Sequence, residues 1–369
     1  MKKMINSLPL VLACFNGLSS PVFGAEAVEL KRAGTHIDVL VGGKPFSTYY
    51  FDLDVAKAYF QPLRSAHGTI VTRGFPVVNE VPLSEAHDPS FEPHQRPMYF
   101  AHGDVNGYDF WSEQVFQKYF PNESASRYGR MVFLKLDEIR GGADAGVLRA
   151  KFGLAGPDGK VFAEEVQSFI FRGSPTTRVI DCEFSIHASQ GPVKLGDTKE
   201  GTFAIRVVKE LDSPPAHMVN SHGGVGEREI WGKRADWVDY YGNVDGEDVG
   251  IAVLDSPKSF RHPTYWHARG YGLFAANPFG IKAFTGDPHA DGSYTIPAGR
   301  SLSFRYRILI HHGDYKAAKI AEAYEQYATE DKYKRETAAL ERCGVKVAQG
   351  EGASAGRGHT PASPKRGLR

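Results

Sequence analysis

The chain has 369 residues, with 44 Lys and Arg against 43 Asp and Glu and a formal net charge of +1. That balance excludes a basic nucleic-acid-binding surface and a polybasic membrane patch. A hydrophobic content of 41% with 12% aromatics is enough to bury a core.

Met1-Lys2-Lys3, the apolar stretch Met4 to Phe15 and the small residues up to Ala27 read as a secretory leader. Residues 1–27 are therefore expected to be a cleaved signal peptide, leaving a slightly acidic periplasmic or secreted product. Val11-Leu12-Ala13-Cys14 also allows a lipoprotein signal with a lipid anchor at Cys14. No later run approaches the about 18 apolar residues of a spanning helix, so no membrane span is expected.

Residues 28–345 are expected to form a single domain. Arg178 to His187 alternates with period two: Ile180, Cys182, Phe184 and Ile186 share one face. Thr202 to Val208 and Ser301 to Ile310 alternate in the same way. Thr35 to Val41, Gly68 to Thr72, Met131 to Ile139, Val161 to Phe171 and Val249 to Leu254 also read as strands. Turn clusters such as Gly156-Pro157-Asp158-Gly159 separate them. Asp314 is a suitable helix N-cap, followed by an apolar stripe of Ala317, Ile320, Ala321, Tyr324 and Tyr327. The predicted fold is mostly β, a large antiparallel two-sheet sandwich with one C-terminal helix. Residues 346–369, rich in Gly, Ser, Pro and Lys, read as a disordered tail. Beyond the leader only Cys182 and Cys343 remain, too few for a disulfide scaffold, although the two could pair in an oxidising compartment.

Two stretches break the alternation. The first runs from His94-Gln95-Arg96 through Phe100-Ala101-His102-Gly103-Asp104-Val105-Asn106-Gly107 to Asp109-Phe110-Trp111. The second includes His222-Gly223-Gly224, Trp231-Gly232-Lys233-Arg234-Ala235, and His262-Pro263-Thr264-Tyr265-Trp266-His267-Ala268-Arg269. His94, His102, His222 and His267 are the candidate proton-transfer groups, because imidazole gives and takes protons near neutrality. Arg96, Asn106, Trp231, Lys233, Arg234, Trp266 and Arg269 are the candidate substrate-binding residues, as cations and rings suit an acidic sugar. On a strand, His267 and Arg269 share a face, whereas Trp266 and Arg269 do not. Several candidates also have a structural reading: Asn106 as a turn residue, two of the four tryptophans as core, Lys233 and Arg234 as surface charges. No cofactor is assumed. Zinc on histidines or calcium on carboxylates is possible, but His-Glu-x-x-His and paired Cys ligands are absent.

These stretches resemble a family of exported bacterial domains of unknown function that carries the label methane oxygenase PmoA. The resemblance rests on Phe100 to Gly107, Asp109 to Trp111, Trp231 to Ala235, Val238 to Tyr240, Arg261 to Arg269 and Tyr271 to Gly280. Where that family has His-His-Arg-Gly, this chain has Gln95 and Pro97 in place of the second histidine and the glycine. The label is not read as a function, since the methane mono-oxygenase subunit of that name is a bundle of membrane-spanning helices. More loosely, the pattern resembles the galactose-mutarotase type of β-supersandwich, which implies a carbohydrate partner. The expected function is an exported carbohydrate-active enzyme of lyase or epimerase type, using His and Arg for proton transfer. The alternatives are non-catalytic sugar binding and a metal-dependent hydrolase. If one site exists, His94, Arg96 and His102 should meet His222, His267 and Arg269 across one sheet face.

Overall fold

The computed structural model describes residues 24–52, 55–74, 94–112 and 127–329. Residues 1–23 of the expected leader, Cys14, Cys343 and the tail lie outside the described residues, whereas residues 24–27 are described and bond to the sandwich, the Glu26 N–H donating to the Gly173 carbonyl at 2.9 Å. The chain falls into two units, residues 1–327 and 328–369, and the sandwich belongs to the first.

Two antiparallel sheets of eight strands form it. The first sheet takes β1 (Val28–Ala33), β2 (His36–Val41), β3 (Lys44–Tyr50), β4 (Tyr59–Phe60) and β5 (Met98–His102), then β11 (Gly201–Arg206), β16 (Leu273–Asn277) and β15 (Tyr265–Ala268). The second runs from β12 (His217–Asn220), β13 (Trp237–Val244) and β14 (Glu247–Asp255) to β18 (Ser301–His312) and β9 (Arg178–His187). It ends on β8 (Val161–Gly173), β7 (Gly146–Ala155) and β6 (Arg130–Arg140). A short pair, β10 (Val193–Leu195) with β17 (Tyr294–Ile296), stands apart.

The alternation seen in the sequence is the packing rule of this sandwich. Along β9, Ile180, Cys182, Phe184 and Ile186 are buried, and on β18 their register partners Ile308, Tyr306, Phe304 and Leu302 point the same way. Directly opposed residues of an antiparallel pair share a face, so each pair adds to one apolar layer. Phe100 of β5 stacks on Phe184 at 4.3 Å, and Phe203 of β11 stacks on Tyr306 at 4.8 Å. These ring pairs fix which face of each sheet looks inward. Cys182 is a buried free thiol, its pKa pushed up by burial.

Two expected elements are shorter in the structure. Gly68 to Thr72 makes only isolated bridges, because Ser65 Oγ accepts the N–H groups of His67 and Thr69 and bends the chain there. Asp314 Oδ1 does accept the N–H groups of Lys316 and Ala317, but Lys319 takes a φ of +53° and the helix starts only at Ile320. Left-handed backbone at a non-glycine residue interrupts a right-handed helix. Helices α1 (Glu227–Ile230) and α2 (Ile281–Thr285) are single turns, and α3 (Ile320–Thr329) lays Ile320 and Tyr324 on the outer face of the second sheet, against Trp237, Leu254 and Leu309. Among the described residues, no helix is long and apolar enough to cross a membrane.

Candidate functional site

The register of the first sheet places Tyr50, Tyr59, Tyr99, Ala204, Ala275 and His267 in one row across β3, β4, β5, β11, β16 and β15. Since Phe100 and Phe203 point into the sandwich, their neighbours Tyr99 and Ala204 point away from it. This outward face collects cations. The Lys57 ammonium sits 4.4 Å from the centre of the Tyr99 ring, and the Arg96 guanidinium 5.3 Å from that of Tyr59. Arg206, next on the outward side of β11, donates to the side-chain carbonyl of Gln95 and lies 4.5 Å from the ring of Tyr271. Arg269 covers the same Tyr271 ring at 5.7 Å and Trp231 at 5.9 Å. The first motif is thereby joined to the second through Arg206.

Two histidines belong to this face. His94 is buried, 6.5 Å from the Trp111 ring, which in turn packs on Tyr99 at 4.9 Å. Burial first, then the charges of Lys57, Arg96, Arg206 and Lys199, hold its pKa well below the ordinary imidazole value. His267 is 3% exposed, and its Nδ1–H donates to the Lys199 carbonyl at 2.9 Å. Burial lowers its pKa to about 4, with Glu200 opposing and Lys199 and Arg269 reinforcing the shift. A ring that donates from Nδ1 keeps its lone pair on Nε2, and that atom has no partner among the described residues. Two residues further on, Arg269 pairs with Glu227 at 3.2 Å, while Arg269 Nε and Trp231 Nε1 are buried donors without a hydrogen-bond partner among the described residues. Orphan donors and a neutral imidazole are chemically suited to the oxygens of a polar ligand.

The remaining sequence candidates lie elsewhere. His102 has the strand parity of Phe100 and so turns inward. Its Nε2–H donates to the Gly196 carbonyl at 2.9 Å, and burial takes its pKa to about 4 against the pull of Asp104, Asp109 and Asp197. A Cβ on Gly201 would lie 2.4 Å from His102 Nδ1, so the ring packs directly on the Gly201 backbone. Asn106 takes a φ of +55° and its Oδ1 accepts the Lys194 N–H at 2.7 Å, the work of a turn residue. His222 is exposed on the turn after β12, its N–H held by Asn220 Oδ1. Arg234 ties down the carbonyls of Pro263 and Arg261, Lys233 is exposed, and Trp266 is core, its Nε1 donating to the Ala235 carbonyl. Hence His94, Arg96, Trp231, His267 and Arg269 share one face; His102, Asn106 and Trp266 serve the scaffold.

Sequence reading passed over Lys57, Tyr59, Tyr99, Arg206 and Tyr271. Arg206 carried a usable signal, a charge in mid-strand on the side opposite Phe203, Ile205 and Val207. Lys57 sits in an irregular segment and carried none. Among the described residues, no group of three or more His, Cys, Asp or Glu is placed to hold a metal ion.

No curated protein matches the chain. Among solved structures, it is similar to a galactose mutarotase-like protein from Clostridium acetobutylicum, at 11% identity and a TM-score of 0.39, over 77% of this chain and 98% of that one. It is also similar to an α-galactosidase from Lactobacillus brevis, at 10% identity and a TM-score of 0.35, over 79% of this chain and 40% of that one. The GH36 α-galactosidase AgaB from Geobacillus stearothermophilus matches at 10% identity and a TM-score of 0.34, over 78% of this chain and 41% of that one. The chain thus spans about two fifths of the length of either galactosidase. A family model covers residues 36–325, most of the molecule, and the chain belongs to the Family of unknown function (DUF6807).

Proposed function

We propose that this protein is an exported enzyme that moves a proton on a sugar acid, bound on the outward face of the first sheet. The observation that carries the reading is His267, kept neutral with its Nε2 lone pair unengaged and with the Arg269 charge acting on it. In a lyase, His267 Nε2 takes the proton α to the carboxylate, the C–O bond on the neighbouring carbon breaks with its electron pair, and a C=C bond forms. The leaving oxygen is then protonated. In an epimerase the proton is returned to the opposite face of the same carbon. Arg269 and Arg206 are the groups for the carboxylate, whose neutralisation lowers the cost of the carbanion. A pKa of about 4 makes a weak base in the free protein, but a bound carboxylate offsets the two cations beside the ring and raises it. Export is inferred from the leader-like residues 1–27. The reading is of sugar chemistry, with no place for the methane oxidation in the label of the resembling family.

A panel of uronate-containing polysaccharides and oligosaccharides tests it through the ultraviolet absorbance of an unsaturated product, with proton exchange at the α-carbon scored in parallel. Activity lost in His267→Ala and Arg269→Met supports the enzyme. Saturable binding with neither product nor exchange replaces it with a non-catalytic sugar-binding protein, and absence of both binding and turnover refutes the sugar reading.

A further inference from the structure

Residues 196–200, between β10 and β11, are where the two motifs meet. From the first motif, His102 Nε2–H donates to the Gly196 carbonyl at 2.9 Å, Gly103 N–H donates to the Glu200 carbonyl at 2.7 Å, and the Asp104 carbonyl accepts the Gly196 N–H at 2.9 Å. From the second, Asn277 Nδ2 donates to the Thr198 carbonyl at 2.9 Å. The orientation of that amide is fixed, because its Oδ1 accepts the N–H groups of Phe279 and Gly280 at 2.9 and 3.2 Å. Asp197 Oδ2 accepts the N–H groups of Lys282 and Gly292 at 3.0 and 2.6 Å. The contact is too close for a side chain at the start of the segment: a Cβ on Gly196 would stand 1.9 Å from Asp104 Oδ2. Held along its length, the segment presents one carbonyl, that of Lys199, to His267.

We propose that His102 and Asn277 are positioning residues that fix the tautomer of His267 by holding the 196–200 segment, so that Nδ1 carries the proton and Nε2 faces the ligand. This rests on the reading of His267 as the base. It assigns His102 a purpose despite its inward direction, and it explains why two motifs a hundred residues apart converge on one short loop.

The test is the tautomer of His267 in the free, full-length protein, read from nitrogen chemical shifts after selective 15N-histidine labelling and assigned with His267→Ala. The wild type is expected in the Nδ1–H form. Asn277→Asp, which sets a carboxylate against the Thr198 carbonyl, and His102→Leu, which removes a donor, should each lower the Nδ1–H to Nε2–H ratio about tenfold, the worth of one hydrogen bond. His102→Gln, able to donate from a similar position, should restore the wild-type ratio. An Nε2–H wild type, or an unchanged ratio in folded Asn277→Asp and His102→Leu, overturns the proposal. Should those two variants lose their near-ultraviolet dichroism, the milder Asn277→Ser decides by the same ratio. An inert sugar panel refutes the sugar reading without touching this readout, which is made without ligand.

Discussion

Arg206 on β11 and Gln95 before β5 are hydrogen-bonded to each other, guanidinium to side-chain carbonyl, and both are almost fully buried. The pair spans the junction of the two motifs, since Arg206 also packs on Tyr271. The Gln95 side-chain carbonyl supplies the acceptor to the guanidinium.

That junction predicts a stability cost. Arg206→Met keeps much of the stem's volume but leaves the Gln95 carbonyl without this donor, and an unsatisfied buried polar group costs about 1–3 kcal/mol. Urea denaturation at neutral pH should show a lower midpoint with an unchanged slope. Gln95→His should retain most of the lost stability relative to Gln95→Leu, because a neutral imidazole still offers an acceptor. Equal midpoints for all three substitutions and the wild type would remove Arg206 and Gln95 from the framework of the face.

The sandwich was legible in the sequence because each sheet has one apolar face, and a half-buried strand must alternate. Arg178 to His187 shows this at its clearest. The shared side of His267 and Arg269 was legible for the same reason. His94 precedes β5, which begins at Met98, so strand parity does not extend to it and its relation to His102 was not legible. Lys57 and Tyr59 lay beyond reach because β4 is only two residues long, too short for a period to register. The inward direction of His102 follows from the parity of β5, but the carbonyl that satisfies its ring, Gly196, is ninety-four positions away, and no local pattern encodes it.

Acid should destabilise the fold through its buried neutral imidazoles. His102 and His267 titrate at about 4 when folded and near 6.5 when unfolded, so between those values the unfolded chain binds more protons. Stability is therefore present above the unfolded value and lost as pH falls from about 6.5 toward 4. Each ring contributes a loss of about 2 kcal/mol between pH 7 and pH 5. Urea midpoints measured at both pH values should show it, and His102→Gln should flatten the dependence by roughly half. A variant as pH-sensitive as the wild type would mean that the His102 imidazole protonates freely in the folded protein.

Glu165 gives the opposite slope. Its carboxyl lies between the sheets on β8, 3% exposed, with Gln167 Nε2 donating to Oε1 at 2.8 Å and Tyr49 OH donating to Gln167 Oε1 at 2.7 Å. Burial raises its pKa to about 8, the Gln167 hydrogen bond opposing. Unfolded, the group titrates near 4.3, so between the two values the folded chain holds the extra proton. Its favourable share is complete below the unfolded value and declines as pH rises through 8. Replacing the carboxyl with an uncharged amide of the same shape removes the cost of keeping it protonated. Glu165→Gln should thus be more stable than wild type by about 4–5 kcal/mol at pH 8 and near neutral at pH 4. The amide can still accept from Gln167 through its oxygen, which keeps the Tyr49-Gln167 chain intact. Denaturation at the two pH values reads the difference directly, and a Glu165→Gln variant less stable than wild type at pH 8 would show that the ionised carboxylate is tolerated between the sheets.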